Sequence, residues 1–217
     1  MPRFLPLAFA ALAVAAPAGA QQLPVGQGEA EYRAWLEGDP AARGAVLSFE
    51  AWQEAAGVAG ILPTYQITRT ASMWAECGGP PFEVAPPALW PNVARTLRFV
   101  RDHVVPVIGP VEAVSGYRNP PLNACARGAA TSAHVDYAAL DLVPVAALER
   151  DAMIRAICAI HAFRGREAGI GLGFYAFRRF HVDSRSFRRW GPDGRAESTP
   201  CTAANRDLPA PDFGQSG

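Results

Sequence analysis

Apolar residues recur at helical spacing in some stretches of the chain and at strand spacing in others. The clearest helical stretch carries Leu89, Val93, Leu97, Val100 and Val104, spaced 4, 4, 3 and 4, and closes near Gly109-Pro110. A second runs from Glu149 to Phe163, with the acids Glu149 and Asp151 in its first turn. Two shorter ones, Glu29 to Glu37 and Phe49 to Ala56, carry aromatics at helical intervals, and a further short helix is expected around Leu122 to Ala126. Strands are expected at Val111 to Tyr117, Ala138 to Val145, Ile170 to Tyr175 and Phe180 to Asp183. A Gly/Pro-rich connection spans Gly78 to Pro87, and Arg118-Asn119-Pro120-Pro121 closes the first strand. Helices concentrated early and strands later predict an α+β fold. No internal repeat is visible.

The start of the chain changes the picture of location. Arg3 precedes an uncharged apolar run, Phe4 to Ala16, and Ala18-Gly19-Ala20 forms a small-x-small cleavage site. That pattern predicts an export signal over 1–20. The run is too short to span a bilayer, and no later stretch could. Cys77, Cys125, Cys158 and Cys201 are even in number and follow the signal, so two disulfides are expected in an oxidising compartment, with three connectivities open. Cys158 sits in an apolar helical run and could instead be a buried thiol. No CxxC pair exists to form a zinc knuckle.

Composition excludes several classes. Half of the 217 residues are hydrophobic and 18% are charged, which excludes a disordered chain. Formal net charge is zero, so no broad basic field points to nucleic acid. Every basic residue is Arg, and no function is read from that.

The chemistry concentrates around two of the four histidines. Ser132-Ala133-His134 is followed by Asp141, seven residues past the histidine; Phe180-His181-Val182-Asp183 lies in an apolar strand. Alternation along that strand puts His181 and Asp183 on one face and Phe180 and Val182 on the other. Two imidazoles and one carboxylate are the donor set of a three-ligand catalytic zinc site. A carboxylate at Asp141, inside an apolar strand, is costly unless a charge meets it. His103, at a helix C-terminal end, and His161, in the helix ending at Phe163, read as structural. Arg178, Arg179, Arg185, Arg188 and Arg189 form a basic cluster, read either as a solvated face or as attraction for acidic groups. Trp35, Trp52, Trp74 and Trp190 read as packing residues, with Trp74 a possible groove lining.

Ser132-x-His134-(six residues)-Asp141, preceded by Ser115-Gly116-Tyr117-Arg118 and followed by Gly171-Leu172-Gly173-Phe174-Tyr175, Phe180-His181-Val182-Asp183, Arg185 and Trp190, resembles the zinc D-alanyl-D-alanine carboxypeptidase family, the M15 peptidases. The likeness covers roughly residues 110 to 190 in the family's order. It implies a small antiparallel sheet bearing zinc, flanked by helices. It implies Zn2+ held by His134, Asp141 and His181, with Ser132 and Tyr117 at the substrate and Arg118 on the developing oxyanion. The implied activity is D,D-carboxypeptidase action on peptidoglycan stem peptides. A cross-link-cutting endopeptidase and a non-catalytic zinc-containing binding module are the alternatives. Two positions depart from the family: Tyr137 stands where Gly is frequent, and Arg178 stands three residues before the last histidine, where many members carry an acid. Asp183 is then the first candidate for the general base, or else a partner orienting a ligand; Asp136 is the second candidate. The expected organisation is a signal (1–20), an N-terminal helical extension and linker (21–87), a zinc peptidase core (88–190) and a tail (191–217). A periplasmic or secreted monomer is expected, with no nucleic-acid partner.

Overall fold

The computed structural model describes residues 24–206. The expected export signal lies outside the described residues. Among them, no helix is long and apolar enough to cross a membrane.

Helix α1 (Glu29–Gly38) leads directly into α2 (Pro40–Ala55), longer than its aromatic spacing suggests. The junction is set by Asp39, whose carboxylate accepts from the N–H groups of Ala41 and Ala42 while Pro40 takes the first helical position. A single turn, α3 (Thr64–Ile67), follows. The long amphipathic helix begins as α4 (Trp90–Phe99), passes through a π-turn (Val100–Val104) and ends as α5 (Val105–Ile108). Pro106 explains the π-turn. It has no N–H to donate and its ring crowds the preceding turn, so the chain widens and the Val105 N–H reaches Val100 O. Next come β1 (Val111–Ser115), α6 (Pro120–Cys125), β2 (Ala139–Pro144) and α7 (Arg150–Ile160), which ends in a second π-turn (His161–Gly165). The chain closes with β3 (Gly171–Phe174), β4 (Phe180–Asp183), β5 (Arg188–Trp190) and α8 (Cys201–Ala204).

The sheet order is β1-β2-β4-β3-β5. The first four strands pair antiparallel as expected, but β5 joins β3 in parallel. No strand was expected at Arg188–Trp190, because three residues of which two are arginines carry no alternating apolar signal.

Alternation divides the sheet into two faces. Leu140, Leu142, Leu172, Phe174, Phe180 and Val182 enter one hydrophobic core with Val93, Leu97 and Val100 from α4 and its extension and with Met153, Ile157 and Cys158 from α7. Phe49, Val58 and Ile67 enter the same core, so the N-terminal helices share it with the sheet. The opposite face carries Asp141, His181 and Asp183. Two disulfides, Cys77–Cys125 and Cys158–Cys201, use all four cysteines. The second pins the start of the tail to α7, so Cys158 is not a free thiol.

Candidate metal centre

Pairing between β2 and β4 sets Asp141 directly opposite His181, on one face. His134 arrives from the loop before β2. That loop is held from outside: Asn92 donates to Asp136 O, Thr96 donates to Ala138 O, and Arg118 N–H donates to His134 O. His134, Asp141 and His181 each offer a ligand atom, and these atoms lie within 4.8 Å of one another. All three residues are buried. Among the described residues, this is the group of His, Cys, Asp or Glu side chains so placed.

Hydrogen bonds fix which atoms face inward. His134 Nδ1 lies 2.7 Å from Gly116 O. A carbonyl can only accept, so Nδ1 carries the proton, and Nε2 accepts from an Arg118 terminal nitrogen at 3.1 Å and lies 3.3 Å from Asp141 Oδ1. His181 Nε2 lies 3.0 Å from Asp183 Oδ2, leaving Nδ1 to face the same Asp141 Oδ1 at 3.0 Å. One carboxylate oxygen thus meets one nitrogen from each ring. The other, Oδ2, accepts from Arg118 at 2.7 Å and from Arg179. The donor set and its convergence fit a divalent cation of the zinc type.

Local backbone choices make this possible. Gly116 must be a glycine because a Cβ there would stand 2.3 Å from Ile67 O. Gly173 leaves room for Trp190, whose ring would be 2.0 Å from a Cβ and which packs 5.3 Å from the His181 ring. The alternate glycines of β3 therefore clear the site face.

Charges follow this packing. Burial pushes the His134 pKa down to about 4, with Arg118 adding to the effect. Burial opposes ionisation of Asp141, but Arg179 and the hydrogen bond from His181 outweigh it and hold the carboxyl well below its ordinary range. Burial also works against a charged His181, yet hydrogen bonds to Asp141 and Asp183 outweigh it and raise its pKa.

The other expected site residues are distributed unevenly. Arg118 is in the cluster, its Nε on Ser115 Oγ and an Nη on Asp141. Ser132 is beside it, its Oγ accepting from the His134 N–H. Tyr117 packs into the core edge-on to Tyr137 and does not line the cleft. Asp183 is fully buried behind His181. Its oxygens accept from His181, from the Arg185 N–H and from both terminal nitrogens of Arg188. Asp136 turns outward toward Arg185. Tyr137 has φ +52°, the left-handed region where the family's frequent glycine is favoured. Its side chain does not narrow the groove. It is wholly buried against Phe49 and Tyr117 and donates to Ile67 O.

Three participants were not singled out individually from the sequence. Arg179 precedes His181 by two residues, so the alternation that pairs His181 with Asp183 extends to it. Arg188 stands opposite Gly171 in the parallel pairing with β5, a contact with no local sequence signal. Tyr175 packs against Trp190 and under the Arg179 guanidinium. Arg118, Arg179 and Tyr175 line a cleft of about 150 Å³ together with Ala71, Ser72, Met73 and Ala126.

The structure is thus an α+β domain whose five-stranded sheet carries a buried His-Asp-His group able to hold a metal ion. The sequence model of the family described as Peptidase M15 matches residues 68–183, more than half of the chain. The chain belongs to the M15 peptidase family, whose members are generally zinc-dependent. The match begins at Thr68, inside the segment assigned above to the N-terminal extension. No curated protein and no solved structure matches the chain.

Proposed function

We propose that this chain is an exported zinc metallopeptidase that hydrolyses peptidoglycan stem peptides at a bond next to D-alanine, as a D,D-carboxypeptidase. The observation that carries the reading is the convergence of two ring nitrogens on Asp141 Oδ1 in a chain of the M15 family. His134, Asp141 and His181 would hold the metal. A zinc ion bound there supplies a Lewis acid for the scissile carbonyl and lowers the pKa of a coordinated water. Gly116 O keeps the His134 proton on Nδ1, and Asp183 keeps the His181 proton on Nε2, so each ring presents its other nitrogen. Arg118, already aimed into the cluster, stabilises negative charge developing on the carbonyl oxygen. Ser132 fixes the turn that presents His134. Asp183 is assigned this orienting role in place of the base role, because its oxygens are committed to His181, Arg185 and Arg188. Two disulfides are in keeping with an oxidising, extracytoplasmic location.

A specific observation favours a second reading, a zinc-containing module that binds the stem peptide without turnover. Arg178 occupies the position where many members carry an acid, and it donates to Ala146 O. Neither Asp183 nor Asp136 replaces that acid in the cluster. Mature protein incubated with intact and cross-linked pentapeptide fragments, read by mass spectrometry, tests both readings. Loss of one alanine, abolished by chelator and restored by zinc, is expected. Separation of cross-linked dimers would make it an endopeptidase. Metal-loaded protein that cuts neither would overturn the peptidase reading and leave the binding module.

A further inference from the structure

The cleft beside the candidate metal centre carries more positive charge than its ligands need. Arg118 and Arg179 both direct a terminal nitrogen at Asp141 Oδ2. That is two guanidinium groups against one carboxylate. The nearest other carboxylate, Asp183, is matched by Arg188 and His181. A divalent cation would add to the excess. A buried excess of positive charge is costly unless an anion completes it.

Arg179 is built to meet such an anion. It spends one terminal nitrogen on Asp141, while its Nε is buried with no hydrogen-bond partner. An arginine has five N–H donors in a rigid fork that matches the two oxygens of a carboxylate. The guanidinium lies over the Tyr175 ring, 4.7 Å from its centroid, which fixes the plane of the fork. Arg179 and Arg118 line the same cleft of about 150 Å³, a size that elsewhere accepts a benzene-sized group. A small terminal residue suits that space.

We propose that Arg179 grips the free α-carboxylate of a peptide's last residue in this cleft and so selects chain ends over cross-links. This rests on the peptidase reading for its substrate class, but the grip itself is a binding property. It makes Arg179 a specificity-determining residue of the exopeptidase site.

The test uses zinc-loaded mature protein with N-acetyl-L-lysyl-D-alanyl-D-alanine and the same peptide carrying a C-terminal carboxamide. Calorimetry measures binding, mass spectrometry measures cleavage, and zinc content and thermal melting are measured for each variant. A charge-assisted fork predicts that the free acid binds tighter than the amide by on the order of 10- to 100-fold. Arg179→Gln should collapse that ratio, with the loss in KM for the acid, and Arg179→Lys should restore part of it. Equal binding of acid and amide by the unmodified protein would overturn the proposal. So would a preference that survives Arg179→Gln, because the metal alone would then hold the carboxylate. Preference for the acid without cleavage would sink the peptidase reading while the grip stands. Cleavage of both peptides with equal KM would do the reverse.

Discussion

Replacing Asp183 by Asn separates an orienting carboxylate from a catalytic base. The side chain has no exposed surface, and its two oxygens serve His181 Nε2, the Arg185 N–H and the Arg188 guanidinium. An amide keeps one acceptor for His181 but loses the charge that holds the ring's proton and balances Arg188. Arg188 is 38% exposed and can turn to water, so its own loss is small. Losing charge-assisted bonds should cost about 1–3 kcal/mol of stability. An orienting partner of a metal-binding histidine is worth on the order of 10- to 100-fold in metal affinity. Asp183→Asn should therefore weaken zinc binding by that factor, read by competition with a chromophoric chelator. Saturating zinc should then restore turnover to near the unmodified rate. A general base behaves differently, since its removal costs about 10²- to 10⁴-fold at any metal concentration. Unchanged zinc affinity, or a rate loss that zinc does not rescue, would refute the orienting role.

Tyr137→Gly restores the residue frequent in the family and should nonetheless destabilise this chain. Relief of the left-handed backbone returns about 1–2 kcal/mol, but emptying a fully buried aromatic site costs about 3–5 kcal/mol, and urea unfolding with disulfides intact would show the deficit. An equal or higher midpoint would mean that the Tyr137 packing contributes little. His161 is buried, donates from Nε2 to Ile170 O and stacks on Phe187, and burial lowers its pKa below the ordinary 6.5. The unfolded state then binds more protons as pH drops, so its contribution is present above about pH 6.5 and is lost as pH falls through the lower folded value. The melting temperature should fall less steeply over that window in His161→Gln than in the unmodified protein; parallel curves would exclude the linkage.

What the sequence made legible was what depends on local periodicity. The strand alternation at Phe180–Asp183 and the 4, 4, 3, 4 spacing from Leu89 were each met by an element with the expected buried face. Asp141 was legible because a carboxylate is costly in an apolar strand without a charged partner, His181 because it alternates with Phe180 and Val182, and His134 only through its motif. What escaped depends on pairing across distance. Gly171 acquires its purpose when β4 and β5 bring Asp183 and Arg188 over it, and Gly173 when β5 brings Trp190. Tyr137 stands out in the sequence only as a departure from the family's frequent glycine, since nothing local says that its left-handed backbone turns the ring toward Phe49 and Ile67.

The same dependence on register bears on the acid missing at position 178. In the β2–β4 pairing Asp141 faces His181 and Leu142 faces Phe180, so the chain before Phe180 continues toward Pro144 and away from the ligands. Three residues at about 3.3 Å each place position 178 some 10 Å along the chain from His181. There Phe177 adopts φ +59° with its ring exposed, and the Arg178 guanidinium reaches Ala146 O past the end of β2. Arg179, by contrast, turns inward to Asp141. The turn before β4 thus sends one arginine outward and the next into the cleft. An inward arginine at 179 and an outward one at 178 belong to a single backbone arrangement. The outward Arg178 and the cationic cleft are therefore linked through that turn. Exchanging the Arg178 side chain for a carboxylate changes its charge, but the backbone that aims it past the end of β2 is held by the turn and by Arg179's bond to Asp141.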